Sequence, residues 1–128
     1  MSTHATATFD GFRKRNGMVV PFRQSKIENA IVRAAQAVAR ELGTQTDKEL
    51  AHRISTRVVE ELNNPLCEYY VYANDEGRRI PNIEDVQDLV EIVLSEEGQS
   101  EVMAAYKRYR KRREMARRVL VVRGAGED

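Results

Sequence analysis

The chain has 128 residues, with 21 Lys and Arg against 20 Asp and Glu and a net charge of +1. That is enough for one domain around a single core, and it leaves no overall field to draw the protein onto DNA or a membrane. The longest apolar runs fall far short of the ~18 residues of a spanning helix, Met1 to Thr8 carry no apolar leader, and the lone Cys67 excludes an intrachain disulfide or a cysteine-built zinc site. These features point to the cytoplasm.

Residues 1–9 read as a disordered lead-in, and a hairpin follows. Asn16-Gly17 stands between Phe12-Arg13-Lys14-Arg15 and Met18-Val19-Val20-Pro21-Phe22, and Asn-Gly predicts a tight turn with positive φ at both residues. Pro21 places the second strand at an edge. Ser25-Lys26-Ile27-Glu28 has the form of a capping box. It would open a helix burying Ile27, Ala30, Ile31, Ala34, Ala35, Val38 and Leu42 at three- and four-residue spacing, and Gly43 would end it. Thr46-Asp47-Lys48-Glu49 repeats the capping logic for a helix with Leu50, Ile54, Val58 and Leu62 on one face, stopped by Asn63-Asn64-Pro65.

Residues 65–82 are the least regular. Tyr69, Tyr70 and Tyr72 form a short β-like run, Asn74 to Gly77 reads as a turn, and Arg78-Arg79-Ile80 as a candidate short strand. Asn82 with Asp85 would cap a third helix carrying Val86, Leu89, Val90, Val93 and Leu94, with Gly98 as terminator. A fourth helix is expected from about Ser100 to Arg118, its buried stripe formed by Val102, Met103, Tyr106 and Tyr109. Residues 119–128 read as a tail or linker. The fold class is α+β, a four-helix bundle capped by a small two- or three-stranded antiparallel sheet, with one domain over 10–118.

Enzymatic chemistry finds little support. His4 lies in the lead-in, and His52 has no sequence-local carboxylate or second histidine. Cys67 reads as a packing residue, and the chain holds no Walker loop or GxGxxG. No catalytic or metal-ligating residue is assigned. The cations say more. Lys14 and Arg15 flank the hairpin turn, Lys26 lies in the first turn of the next helix, and Lys111 lies in the last. If the hairpin folds over the helix ends they converge, and a polyphosphate needs such convergence because each charge-assisted bond must replace strong hydration. The first helix's N-terminus adds free N–H groups. Spacing alone favours ordinary solvated Lys and Arg over this.

Residues Lys14-Arg15-Asn16-Gly17 with Val20-Pro21-Phe22, then Lys26-Ile27 before an Ala-rich helix, resemble the opening of the ATP-cone family. The stretches Ile83 to Glu91 and Tyr106 to Arg112 resemble that family's third and fourth helices, so the resemblance spans about residues 12–113. It implies a non-catalytic regulatory module that binds ATP or dATP, with Mg²⁺ accompanying the triphosphate. Such a module would control the activity or assembly of a ribonucleotide reductase, in cis or in trans, through nucleotide-dependent self-association or contact with the catalytic subunit. It also implies that Lys14 and Arg15 contact phosphate or base from the hairpin, that Lys26 binds from the first helix, and that Ile27 packs near the adenine. Gln87 would face the phosphates and Lys111 would close the site. Val20 stands where some members carry a base-reading Glu, and Arg23 and Ser25 where acidic residues are frequent.

Two other readings compete. The basic run from Lys107 to Arg118 could give a nucleic-acid-binding or transcriptional regulator with salt-sensitive affinity, although no recognition-helix motif accompanies the charge. A cone that keeps the fold without the ligand would serve as an oligomerisation surface.

Overall fold

Apolar side chains at three- and four-residue spacing dictate four helices, and the computed structural model places them at α1 (Gln24–Leu42), α2 (Lys48–Leu62), α3 (Ile83–Glu96) and α4 (Ser100–Val122). The structure describes residues 9 to 122, with side chains as far as residue 118. The expected lead-in before Phe9 and the tail after Val122 lie outside the described residues.

The helices form a ring: α1 packs on α2 and α4, and α3 packs on the same two neighbours. Ile31 from α1, Ile54, Val58 and Leu62 from α2, and Val90, Val93 and Leu94 from α3 are wholly buried at its centre. Val102, Ala105 and Tyr106 complete the core from α4. Leu42, expected on the buried stripe of α1, is 57% exposed, because the helix ends there and Ala39 takes the inward position. No helix among the described residues is long and apolar enough to cross a membrane.

Helix ends follow backbone geometry more than the expected side-chain boxes. α1 starts one residue early, with Arg23 as N-cap and no side-chain cap. Ser25 is exposed within the first turn instead, and Glu28 reaches across to His52 Nδ1 at 3.2 Å. Gln24 ties this end to α2, donating to Ser55 Oγ at 3.1 Å and Thr56 Oγ1 at 3.0 Å. The cap of α2 is Asp47 rather than Thr46, its carboxylate accepting from Leu50 N–H at 3.0 Å. Asn82 caps α3 without a side-chain hydrogen bond. Gly43 ends α1 in the left-handed region at φ 71°, the conformation that relieves orphan carbonyls at little cost for glycine.

The sheet is two-stranded among the described residues. β1 (Phe12–Arg13) pairs antiparallel with β2 (Val19–Val20), Phe12 opposite Val20 and Arg13 opposite Val19. Asn16 does not adopt positive φ; Gly17 does, at 89°. The turn is closed by Gly17 N–H to Lys14 O at 2.9 Å and by Asn16 Oδ1 accepting from Met18 N–H at 3.0 Å. This is a longer loop than the two-residue turn expected, because the asparagine side chain supplies the bend itself.

The stretch 65–82 forms no strand. Arg79 N–H and C=O bond to Asp10, and Arg13 N–H bonds to Pro81 O at 2.9 Å. An isolated parallel bridge joins Arg13 to Asn82. The tyrosine run turns instead of extending, with Tyr70 N–H bonded to Cys67 O at 3.0 Å. Arg79 fastens this loop: its guanidinium donates to Val71 O and Leu62 O and lies over the rings of Phe9 and Tyr70. The hairpin is thereby anchored to the start of α3.

Candidate functional site

The hairpin leaves a cleft of about 630 Å³ between itself, the first turns of α1 and α3, and the second half of α4, within the range of ligand sites. The hairpin brings Lys14, Arg15 and Asn16 to its wall, α1 brings Lys26 and Ile27, and α3 brings Gln87. The structure thus places five of the six expected side chains on one cavity. Lys111 is not among them; it is exposed on α4 and absent from the lining. The last helix contributes Tyr106, Tyr109, Arg113 and Arg117 in its place. Helix phase explains the exchange, since residues advance by ~100° each. Continuing the buried stripe Val102, Tyr106, Tyr109 leads to 113 and 117, not to 111. That stripe was visible in the sequence and is the signal that could have found both arginines.

Charge in the cleft is mostly unmatched. Arg15 pairs with Glu84 at 2.5 Å. The other ion pairs formed by described cations involve His52, Arg53, Arg57, Arg110 and Arg118. Lys14, Lys26, Arg113 and Arg117 are left without a carboxylate partner among the described residues. Burial lowers the pKa of Arg117, and the neighbouring Arg15 and Arg113 lower it further. Clustered cations that repel one another and outnumber their carboxylate neighbours form an anion site in electrostatic terms.

The remaining lining is apolar, with Phe12, Val20, Ile27, Ala30, Ile83 and Val86. Neutral polar groups are few: Asn16, Gln87 and the two tyrosines. The Tyr109 hydroxyl accepts from Arg33 at 3.0 Å and Arg113 at 3.3 Å. The cavity therefore combines a cationic wall with an apolar one, the arrangement suited to an aromatic ligand carrying phosphate.

Residues outside the cleft bear on catalysis. His52 does have a carboxylate neighbour, Glu28, brought to it across the α1–α2 contact rather than by sequence. The pair is on the surface and neither residue is part of the cleft lining. Cys67 lies in a groove with Glu61, Glu68 and Glu96, and burial pushes its thiol pKa up, with Glu61 and Glu68 adding to the effect against the Tyr69 N–H bond.

Comparison with known proteins bears on the family of the chain. The ATP cone domain model matches residues 12–115. Two Mycobacterium tuberculosis proteins, the vitamin B12-dependent ribonucleoside-diphosphate reductases of the CDC 1551 / Oshkosh and ATCC 25618 / H37Rv strains, are each 32% identical over 116 residues. The aligned stretch covers 91% of this chain and 14% of theirs.

Proposed function

The chain belongs to the ATP-cone domain family, a class of regulatory nucleotide-binding modules, and we propose that its ligand is ATP or dATP. The observation that carries this reading is the convergence of Lys14, Lys26, Arg113 and Arg117 from three separate elements on one partly apolar cleft. The triphosphate would lie against these cations, and Ile27 with its apolar neighbours would receive the base. Arg15, held by Glu84, could turn from carboxylate to phosphate. Mg²⁺ would enter with the triphosphate, because this ion is commonly held by phosphates and water rather than by a protein cage.

The chain spans 14% of the length of the reductases it resembles, and the activity it would regulate is a proposal. We propose that the target is a ribonucleotide reductase, acted on in cis or in trans. ATP and dATP can signal differently only if each stabilises a different assembly, since a ligand with equal affinity for two states shifts neither. Nucleotide-dependent self-association is the simplest such device.

Calorimetry tests the binding step. Wild-type chain should bind ATP or dATP at a saturable site, and Lys14→Ala with Lys26→Ala should weaken binding by roughly 100-fold, each charge-assisted contact contributing on the order of tenfold. Unchanged affinity in the folded double variant would remove the proposal's basis.

A further inference from the structure

One buried acceptor in the cleft has no partner. Gln87 Oε1 is closed off from solvent and accepts no hydrogen bond in the structure. Such groups are uncommon in folded proteins, and each calls for an explanation in strain, solvent or a ligand. Here the residue lines the cleft, and a turn of its carboxamide would bring Oε1 from its closed-off position to a donor on what binds there.

The nature of that donor follows from the surroundings. Gln87 lies on α3 about one turn beyond Glu84, the residue that holds Arg15. Ile83 and Val86 flank it on the same lining. Phosphate oxygens only accept, so they would leave Oε1 as unmatched as before. The other carboxamide of the cleft, Asn16, has its Oδ1 committed to Met18 N–H at 3.0 Å. Val20 also lines the cleft and can offer a base no hydrogen bond. Gln87 is thus the lining carboxamide whose acceptor is uncommitted.

Resting on the nucleotide reading above, we infer that Gln87 is the base-specificity residue of this cleft. Its Oε1 accepts from the exocyclic amino group of adenine while its Nε2 donates to the adjacent ring nitrogen. A carboxamide and the donor–acceptor edge of adenine match in this bidentate way. Guanine sets a carbonyl oxygen where adenine has its amino group, and acceptor would face acceptor. This replaces the phosphate-facing role that the family resemblance implies for Gln87.

The test is calorimetry on the full chain with ATP, dATP, GTP, purine riboside triphosphate (adenine without its amino group) and inorganic tripolyphosphate. Wild-type protein should prefer ATP over the amino-free analogue by about tenfold, the worth of one well-made buried hydrogen bond. Gln87→Leu should bind those two within about twofold of each other and keep its affinity for tripolyphosphate, which reads only the cationic wall. Gln87→Glu, close to isosteric, keeps the acceptor for the amino group but loses the donor to the ring nitrogen, and should bind ATP several-fold more weakly than wild type while still rejecting GTP; circular dichroism establishes that each variant is folded. If folded Gln87→Leu keeps the wild-type preference for the amino group, the inference is overturned while nucleotide binding stands. The same holds if Gln87→Leu loses only the distinction between ATP and dATP, which would put Gln87 at the ribose. Failure of folded wild-type chain to bind ATP would overturn both readings.

Discussion

Lys111 and Arg113 stand two positions apart on α4 and differ in everything that matters for binding. At ~200° of helical rotation both are exposed, but only the second lines the cleft. Arg117, one turn on, is partly buried beside Arg15 and Arg113, and its pKa is lowered by desolvation first and by those two charges next. A bound polyanion would relieve this repulsion. Arg117→Ala should therefore weaken ATP by about tenfold, while Lys111→Ala stays within about twofold of wild type, as exposed surface charges contribute little; calorimetry at fixed ionic strength checks both. Cys67 illustrates the opposite electrostatics. Desolvation raises its pKa, and Glu61 and Glu68 raise it further against the opposing Tyr69 N–H bond. Less thiolate is present at a given pH, so alkylation by iodoacetamide at about pH 8 should run several-fold slower in the folded chain than in urea-unfolded chain, thiolate being the nucleophile. Equal rates would mean that the thiol is not shielded.

Among elements, the hairpin is the most exacting. Gly11 precedes β1 at φ 155°, and a Cβ there would meet Val19 Cγ1 at 2.6 Å and Val20 O at 2.8 Å. The second contact is backbone and cannot step aside without moving β2. Gly11→Ala should cost about 1–3 kcal/mol, the range for overpacking, measured by urea unfolding, and should weaken nucleotide binding as well, because β2 carries Val20 into the cleft. A variant of wild-type stability would show that the hairpin yields more readily than this geometry allows. Much of this scale was legible in the sequence. Asn16-Gly17 marked the hairpin, and the spacing of Ile54, Val58 and Leu62 marked α2, because turn chemistry and amphipathic period act locally. Caps were less legible: Ser25 and Thr46 looked suited, but Gln24 is drawn into α1 by Ser55 and Thr56 of a distant helix. The tyrosine run misled for a similar reason, its apparent alternation overridden by Arg79, which holds Val71 and Leu62. The basic run of α4 also divides on inspection. Arg110 is paired with Asp88 and Glu91, Arg113 and Arg117 turn to the cleft, and Lys107, Arg108, Lys111 and Arg112 face outward. This leaves a smaller outward patch for nucleic acid than the sequence count implies.

At the scale of the whole molecule, the four helices pack in a ring around one core and the hairpin is fastened across it. The Arg13–Pro81 bond and the Arg15–Glu84 pair tie the hairpin to the start of α3, so the proposed ligand would touch α1, α3 and α4 at once. Family membership and the four-helix frame could be read from short motifs in order, whereas the choice between Lys111 and the two arginines required knowing which way α4 faces. The most direct measurement is a titration of the ¹⁵N-labelled chain with ATP, followed by amide chemical shifts. The account predicts one saturable set of changes confined to residues 14–16, 26–27, 83–87 and 113–117, with Lys107, Lys111 and Arg112 little moved. Shifts centred on that outward basic face, with the hairpin and α3 undisturbed, would contradict it.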